Sequence, residues 1–286
     1  MKSHGPLSES HSRISLAFPT LLWFGFFILV PLLIVAAVSL ATRGTYGGIE
    51  WTWTVENYSR AFSLSYLGIL FESLKLAFLT TLSCAVLGIL MSWAMSAAPA
   101  SHRHFYVCAV ALPFLTNLVI RIYALRVFVG YEGPLQVVLT SLGVSFDPFV
   151  LSQNKFLVFY GMVTTYLPFM VLPLYGAFEK FDFSLVEAAQ DLGAGPWKIL
   201  VSVILPNLRK ALTSGALLVF IPSLGEYVIP DLLGGAKNML YGNLITEEFL
   251  KSRNWPLGSA LSVLMISLLL MIVFIYYRKN GAKHGA

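Results

Sequence analysis

Apolar residues run through this chain in six long blocks, parted by shorter polar stretches. The blocks cover about 16–41, 70–97, 105–129, 156–178, 210–233 and 256–277. A bilayer's hydrocarbon core takes roughly 20 apolar residues per helix, so each block predicts one span. The expected fold class is all-α, a polytopic membrane protein with six transmembrane helices. The first apolar run, Ile14 to Ala41, is about twice as long as a secretory h-region and reads as an uncleaved span. Residues 1–15 and 278–286 are left as tails, and 42–69 as a connection between spans.

Composition agrees with this pattern. Charged residues are 12% of the chain and hydrophobic residues 57%, with a mean hydropathy of +0.75. Soluble domains carry about 25% charged residues, so a water-covered surface is excluded. The formal charge of +5 is explained by topology rather than by nucleic acid. With the N-terminus cytoplasmic, inner segments hold Lys2, Arg13, Arg103, Lys180, Lys198, Arg209, Lys210, Arg278, Lys279 and Lys283. Outer segments hold Arg43, Arg60, Lys155, Lys237, Lys251 and Arg253, six against ten. Basic residues near span ends favour the inner side, so both termini are expected in the cytoplasm.

Both outer connections predict short helices. In TWTVENYSRAF, Thr54 is placed to cap a helix with Val55, Tyr58 and Phe62 as its apolar positions. Beyond GGAKN, the spacing of Leu240, Leu244, Phe249 and Leu250 suggests a surface helix with its charges outward. Such helices serve either as interfacial anchors or as docking surfaces for an outside partner.

The inner connection 179–209 is longer than a turn requires. Ser184 and Glu187 have capping-box spacing, and Leu185, Ala188, Ala189 and Leu192 fall on one helical face. Gly193 supplies a residue free to take positive φ, and Pro196 can open a second helix. Leu205-Pro206 is expected to end the connection. Two short helices joined by a bend should lie across the cytoplasmic ends of the spans, with Ala188 and Ala189 admitting a partner's surface.

EAA at 187–189, then Gly193, Val203 and Leu205-Pro206 resemble the EAA loop of ABC importer permeases, in which this loop forms the coupling helix seated in an ATPase cleft. Val203 stands where Ile is usual. The stretches LPFLTNLVIRIYALRVF, LPFMVLPLYGAFEKFD, DLLGGAKNMLYGNLI and SRNWPLGSA narrow the resemblance to spermidine/putrescine ABC transporter permeases. That resemblance implies a type I importer permease (MetI-like) fold, with residues 70–277 as the ABC transmembrane domain and 179–209 as its coupling loop. It assigns Glu187, Ala188, Ala189, Asp191, Gly193, Leu205 and Pro206 to ATPase coupling. It further implies a bacterial inner membrane, a homologous second permease, two ATP-binding subunits and a periplasmic substrate-binding protein.

No G-x-x-x-x-G-K-[ST] phosphate loop is present, so ATP hydrolysis is expected in a partner subunit. HExxH, a CxxC pair and G-x-S-x-G are also missing, and no catalytic role, metal or cofactor is expected. Cys84 and Cys108 lie within spans and read as small packing residues. No span carries a histidine, which argues against a haem site.

Ionisable groups within spans are functional candidates, since each carries about 2.5–3.5 kcal/mol on insertion scales. Glu226 lies in a stretch broken by Pro222, Gly225 and Pro230, and Asp231 follows it. Pro113, Asn117 and Arg121 are spaced to share a helical face, while Glu72 and Lys75 are spaced to pair. A flexible polycation needs carboxylates and aromatic faces along its path. Glu226, Tyr227, Asp231, Asn117 and Tyr123 are the candidate pathway residues; the other reading of Glu226 is a structural ion pair with Arg121. Competing functions are an importer for an opine, an amino-acid derivative or a phosphonate, and an ion-coupled secondary carrier.

Overall fold

The computed structural model describes residues 7–143, 154–235 and 238–281. Lys2, Lys237 and Lys283, counted above for orientation, lie outside them. In chain order, the elements begin with α1 (Leu7–Ser39), a hairpin of β1 (Thr42–Arg43) and β2 (Ile49–Glu50), and α2 (Glu56–Ala61). Next come α3 (Leu64–Ala97), α4 (Ala100–Leu115), α5 (Leu118–Val129), α6 (Pro134–Ser141) and α7 (Lys155–Phe178). The chain continues through α8 (Ser184–Asp191), α9 (Pro196–Ile199), a π turn (Leu200–Ile204) and α10 (Leu205–Gly225). It closes with α11 (Val228–Leu233), α12 (Tyr241–Leu250) and α13 (Trp255–Gly281). Among the described residues, five helices are long and apolar enough to cross a membrane, and a bent pair makes a sixth.

Two compact units divide the chain: Met1–Tyr66 with Ile245–Ala286, and Leu67–Leu244. In the first, α1 and α2 pack on α13. The last carbonyls of a helix have no partner inside it. Asn57 supplies donors for α1, its Nδ2 reaching Ser39 O at 2.9 Å and Ala41 O at 2.8 Å. That duty turns Asn57 and Ala61 inward and leaves Val55 and Phe62 exposed, which corrects the apolar face expected for α2. Thr54 does hold the helix start, its Oγ1 accepting from Glu56 N at 3.1 Å.

In the second unit α7 is the most buried span, and it packs along α10. Met162, Met170, Leu174 and Phe178 are fully enclosed. Glycines permit the approach: a Cβ on Gly88 would lie 2.7 Å from the Met170 side chain, and one on Gly215 would lie 2.8 Å from its Sδ. Small residues at helix contacts are the usual means of close packing where lipid removes the hydrophobic drive. Ser92 adds a hydrogen bond from α3 to Val171 O at 3.0 Å. Glu72 takes Lys155 as its nearer partner at 2.9 Å, with Lys75 at 4.0 Å.

Two blocks are not single straight helices. The block expected at 105–129 is broken between α4 and α5, with the two arms bent by 89°. Asn117 caps α5 by accepting from Val119 N at 2.8 Å and Ile120 N at 3.4 Å. Arg121 reaches back across the break to Pro113 O at 3.0 Å and across to Thr165 Oγ1 on α7 at 2.9 Å. The shared face expected for Pro113, Asn117 and Arg121 therefore gives way to a clamped bend. The block expected at 210–233 is likewise split, α10 ending at Gly225 and α11 starting at Val228.

Candidate functional site

The inner connection is built around a bend at Gly193. Here φ is +76°, a conformation that costs an L side chain roughly 1–2 kcal/mol. The turn is closed by Gly193 N to Gln190 O at 2.8 Å and Ala194 N to Ala189 O at 3.0 Å. At the start of α8, Asp182 is the cap, its Oδ1 accepting from Ser184 N at 3.0 Å. The expected capping box of Ser184 with Glu187 is thus corrected: the side-chain acceptor lies two residues earlier. The Ser184 hydrogen bonds hold the Asp182 carboxyl below the usual aspartate range.

Leu205-Pro206 does not end the connection either. From Pro196 to Gly225 the helix runs on as one membrane-length element, passing Pro206 by means of the π turn. Leu205 N bonds Leu200 O, and Asn207 Nδ2 takes Val203 O at 2.7 Å. Proline has no N–H to donate, and the wider turn with the Asn207 side chain absorbs that loss.

The bend sorts the face expected on α8 into two. Val186 and Ala189 turn towards the core, while Leu185, Ala188 and Leu192 are exposed, Leu192 at 88%. Glu187, Asp191, Gly193 and Pro206 are also exposed, and Leu205 is half-buried. An apolar strip with acidic flanks therefore stands on a short helix fixed at both ends by Asp182 and the Gly193 turn.

The second cluster lies where α10 breaks. Glu226 is only 8% exposed. Its Oε1 accepts from Val228 N at 2.8 Å and Ile229 N at 3.2 Å, capping α11, and its Oε2 accepts from the Tyr166 hydroxyl on α7. Three donors thus give both oxygens of this buried carboxyl group a hydrogen-bond partner, which burial alone would deny it. Arg121 is engaged with Pro113 and Thr165, so the pairing weighed for Glu226 is replaced by Tyr166 and backbone amides. Asn243 Nδ2 binds Tyr227 O at 2.8 Å, and its Oδ1 is buried with no hydrogen-bond partner.

Tyr227, at 48%, and Tyr123, at 50%, are open, and Asp231 is exposed. They lie on α11, the α10–α11 break and α5, and α11 packs on α5. Asn117 is exposed but spends its side-chain oxygen on the α5 cap. Sequence reasoning missed Tyr166, Asn243 and Asp182. Asp182 stands two residues before Ser184 and was legible as an alternative cap; Tyr166 is an apolar-block tyrosine with no local signal.

Comparison with known proteins gives a consistent pattern. Residues 101–280 match the family described as binding-protein-dependent transport system inner membrane component. The spermidine/putrescine transport system permease protein PotB of Haemophilus influenzae is 41% identical over 258 residues, 90% of each chain. The protein of the same name from Escherichia coli is 36% identical, covering 90% of this chain and 94% of that one. Among solved structures, a bacterial ABC transporter involved in alginate import aligns with a TM-score of 0.74 at 17% identity, covering 97% of this chain and 99% of that one. The MetNI methionine ABC transporter aligns with a TM-score of 0.52 at 18% identity, covering 77% and 99%. At these identities the two structures speak to fold alone.

Proposed function

The chain belongs to the family of binding-protein-dependent transport system inner membrane components, and from that premise we propose that it is the permease that carries polyamines, spermidine or putrescine, into the cytoplasm. The observation that carries this reading is the 41% identity to a spermidine/putrescine permease over 90% of both chains. A homologous second permease completes the channel, two ATP-binding subunits supply the energy, and a periplasmic protein delivers the substrate. Both termini face the cytoplasm.

The ATPase seats on Leu185, Ala188 and Leu192. These side chains are exposed on a helix whose ends are fixed, so force applied there passes into α10 through the continuous helix from Pro196. Uptake by this route would leave the chain itself without a hydrolytic role. The substrate's ammonium groups pass Asp231, Tyr227 and Tyr123, where a carboxylate and open aromatic faces attract cations. Glu226 serves that path by fixing the break that presents Tyr227 and Asp231.

The test is uptake of labelled putrescine and spermidine into vesicles holding the chain with its ATPase, sister permease and binding protein. ATP-dependent accumulation of either polyamine is expected. Transport of an opine, an amino-acid derivative or a phosphonate instead would keep the importer and replace the substrate. Transport by the chain alone, driven by an ion gradient, would replace both with a secondary carrier.

A further inference from the structure

The outer connection after α1 carries a run of large apolar side chains that the transport reading does not use. Trp51, Trp53 and Val55 occupy alternate positions and are 65%, 75% and 72% exposed. Between them, Thr52 is tied to Thr42 through their hydroxyls, and Thr54 caps α2. The polar partners are thus occupied within the protein, and the apolar positions are left outside.

This segment is fixed to the end of the first span. Thr54 N donates to Leu40 O at 2.7 Å, one residue beyond α1. Asn57 holds Ser39 O and Ala41 O, and the Ser39 hydroxyl meets the Tyr58 hydroxyl at 2.7 Å. Trp53 and Val55 flank the residue bonded to Leu40. Their height is therefore that of the span's end, where hydrocarbon gives way to headgroups.

Within this chain the span packs on α13, and over Phe18–Ser39 only 6% of the most apolar window is buried. Its depth in the bilayer is then set in part by what its outer end presents to the interface. Tryptophan is favoured at this level because its ring is apolar and its N–H seeks a hydrogen-bond acceptor.

We infer that Trp51, Trp53 and Val55 form a lipid-interface anchor, seated among the headgroups of the outer leaflet and setting the depth of α1. Its ligand is the bilayer surface, with headgroup and ester oxygens accepting from the two indole N–H groups. This assignment is independent of which solute the importer carries.

Depth-resolved quenching tests it on the full chain. In a Cys84→Ala, Cys108→Ser background, Trp53→Cys is labelled with bimane and reconstituted in phosphatidylethanolamine/phosphatidylglycerol vesicles. Val55→Cys provides a second site should Trp53→Cys fail to insert, and fully exposed Tyr46→Cys gives the aqueous control. Nitroxide near the headgroup should dim the probe at 53 or 55 by about twofold or more, with iodide acting mainly at 46. Equal iodide quenching at all sites with no nitroxide effect would overturn the anchor. Shielding that occurs only when the periplasmic binding protein is added would overturn it in favour of a protein-docking face.

Discussion

The Tyr166 hydroxyl of α7 donates to the Glu226 carboxylate at the break between α10 and α11. This links the most buried span to the point where its packing neighbour stops being a helix. The carboxylate's other oxygen caps α11, so one side chain both ends one helix pairing and starts the next element.

Tyr166→Phe should leave a buried carboxylate oxygen without its donor and lower stability by about 1–3 kcal/mol. Glu226→Gln keeps an acceptor for the α11 amides and should lose less. The double variant should cost less than the sum of the singles, read by thermal unfolding of the assembled complex. Strict additivity would show that the two groups do not support one another.

Gly193→Val should leave membrane insertion unchanged while lowering ATPase association and uptake, because positive φ is penalised for a β-branched residue. A Cβ there meets open space, so strain rather than a clash is the cause. Gly193→Asn should retain more activity than Gly193→Val, since Asn tolerates that conformation. Equal loss in both would point to sterics at the ATPase contact.

Leu192→Glu tests the exposed strip directly. With Leu192 at 88% exposure, the substitution should change the chain's own stability by no more than about 0.5 kcal/mol. ATPase co-purification should nonetheless fall about tenfold, a loss of about 1.4 kcal/mol of binding. Unchanged co-purification would remove Leu192 from the interface.

Glu248 gives a pH dependence. Burial, reinforced by Glu247, pushes its carboxyl up against the opposing effects of Tyr66, Arg43 and Asn254. The folded state then binds more protons than the unfolded state between the ordinary value, about 4.3, and the raised one. This contribution is fully present below the ordinary value and is lost as pH rises through that window. Glu248→Gln should flatten the dependence in a thermal-stability profile. A steeper profile in that variant would contradict the assignment.

The sequence by itself determined the class and the positions of most of the long apolar blocks. Those signals are local: an apolar block long enough for a bilayer must be helical there, because no solvent satisfies its backbone. Gly193 was equally legible, since its role depends on its own φ. The family resemblance came from the same local stretches, and residues 101–280 bear it out.

Tertiary structure decided what the apolar blocks could not encode. The block at 105–129 is long enough to read as one span, yet the chain turns by 89° where Asn117 caps α5 and Arg121 holds both the Pro113 carbonyl and Thr165 on α7. Glu226 was visible as a costly charge, but its partner lies 60 residues away on another span. The sorting of α8 into a packed side and an exposed side also depended on what the bundle left uncovered. A charge in a span announces that a partner must exist; only the packing of one helix against another selects which group it is.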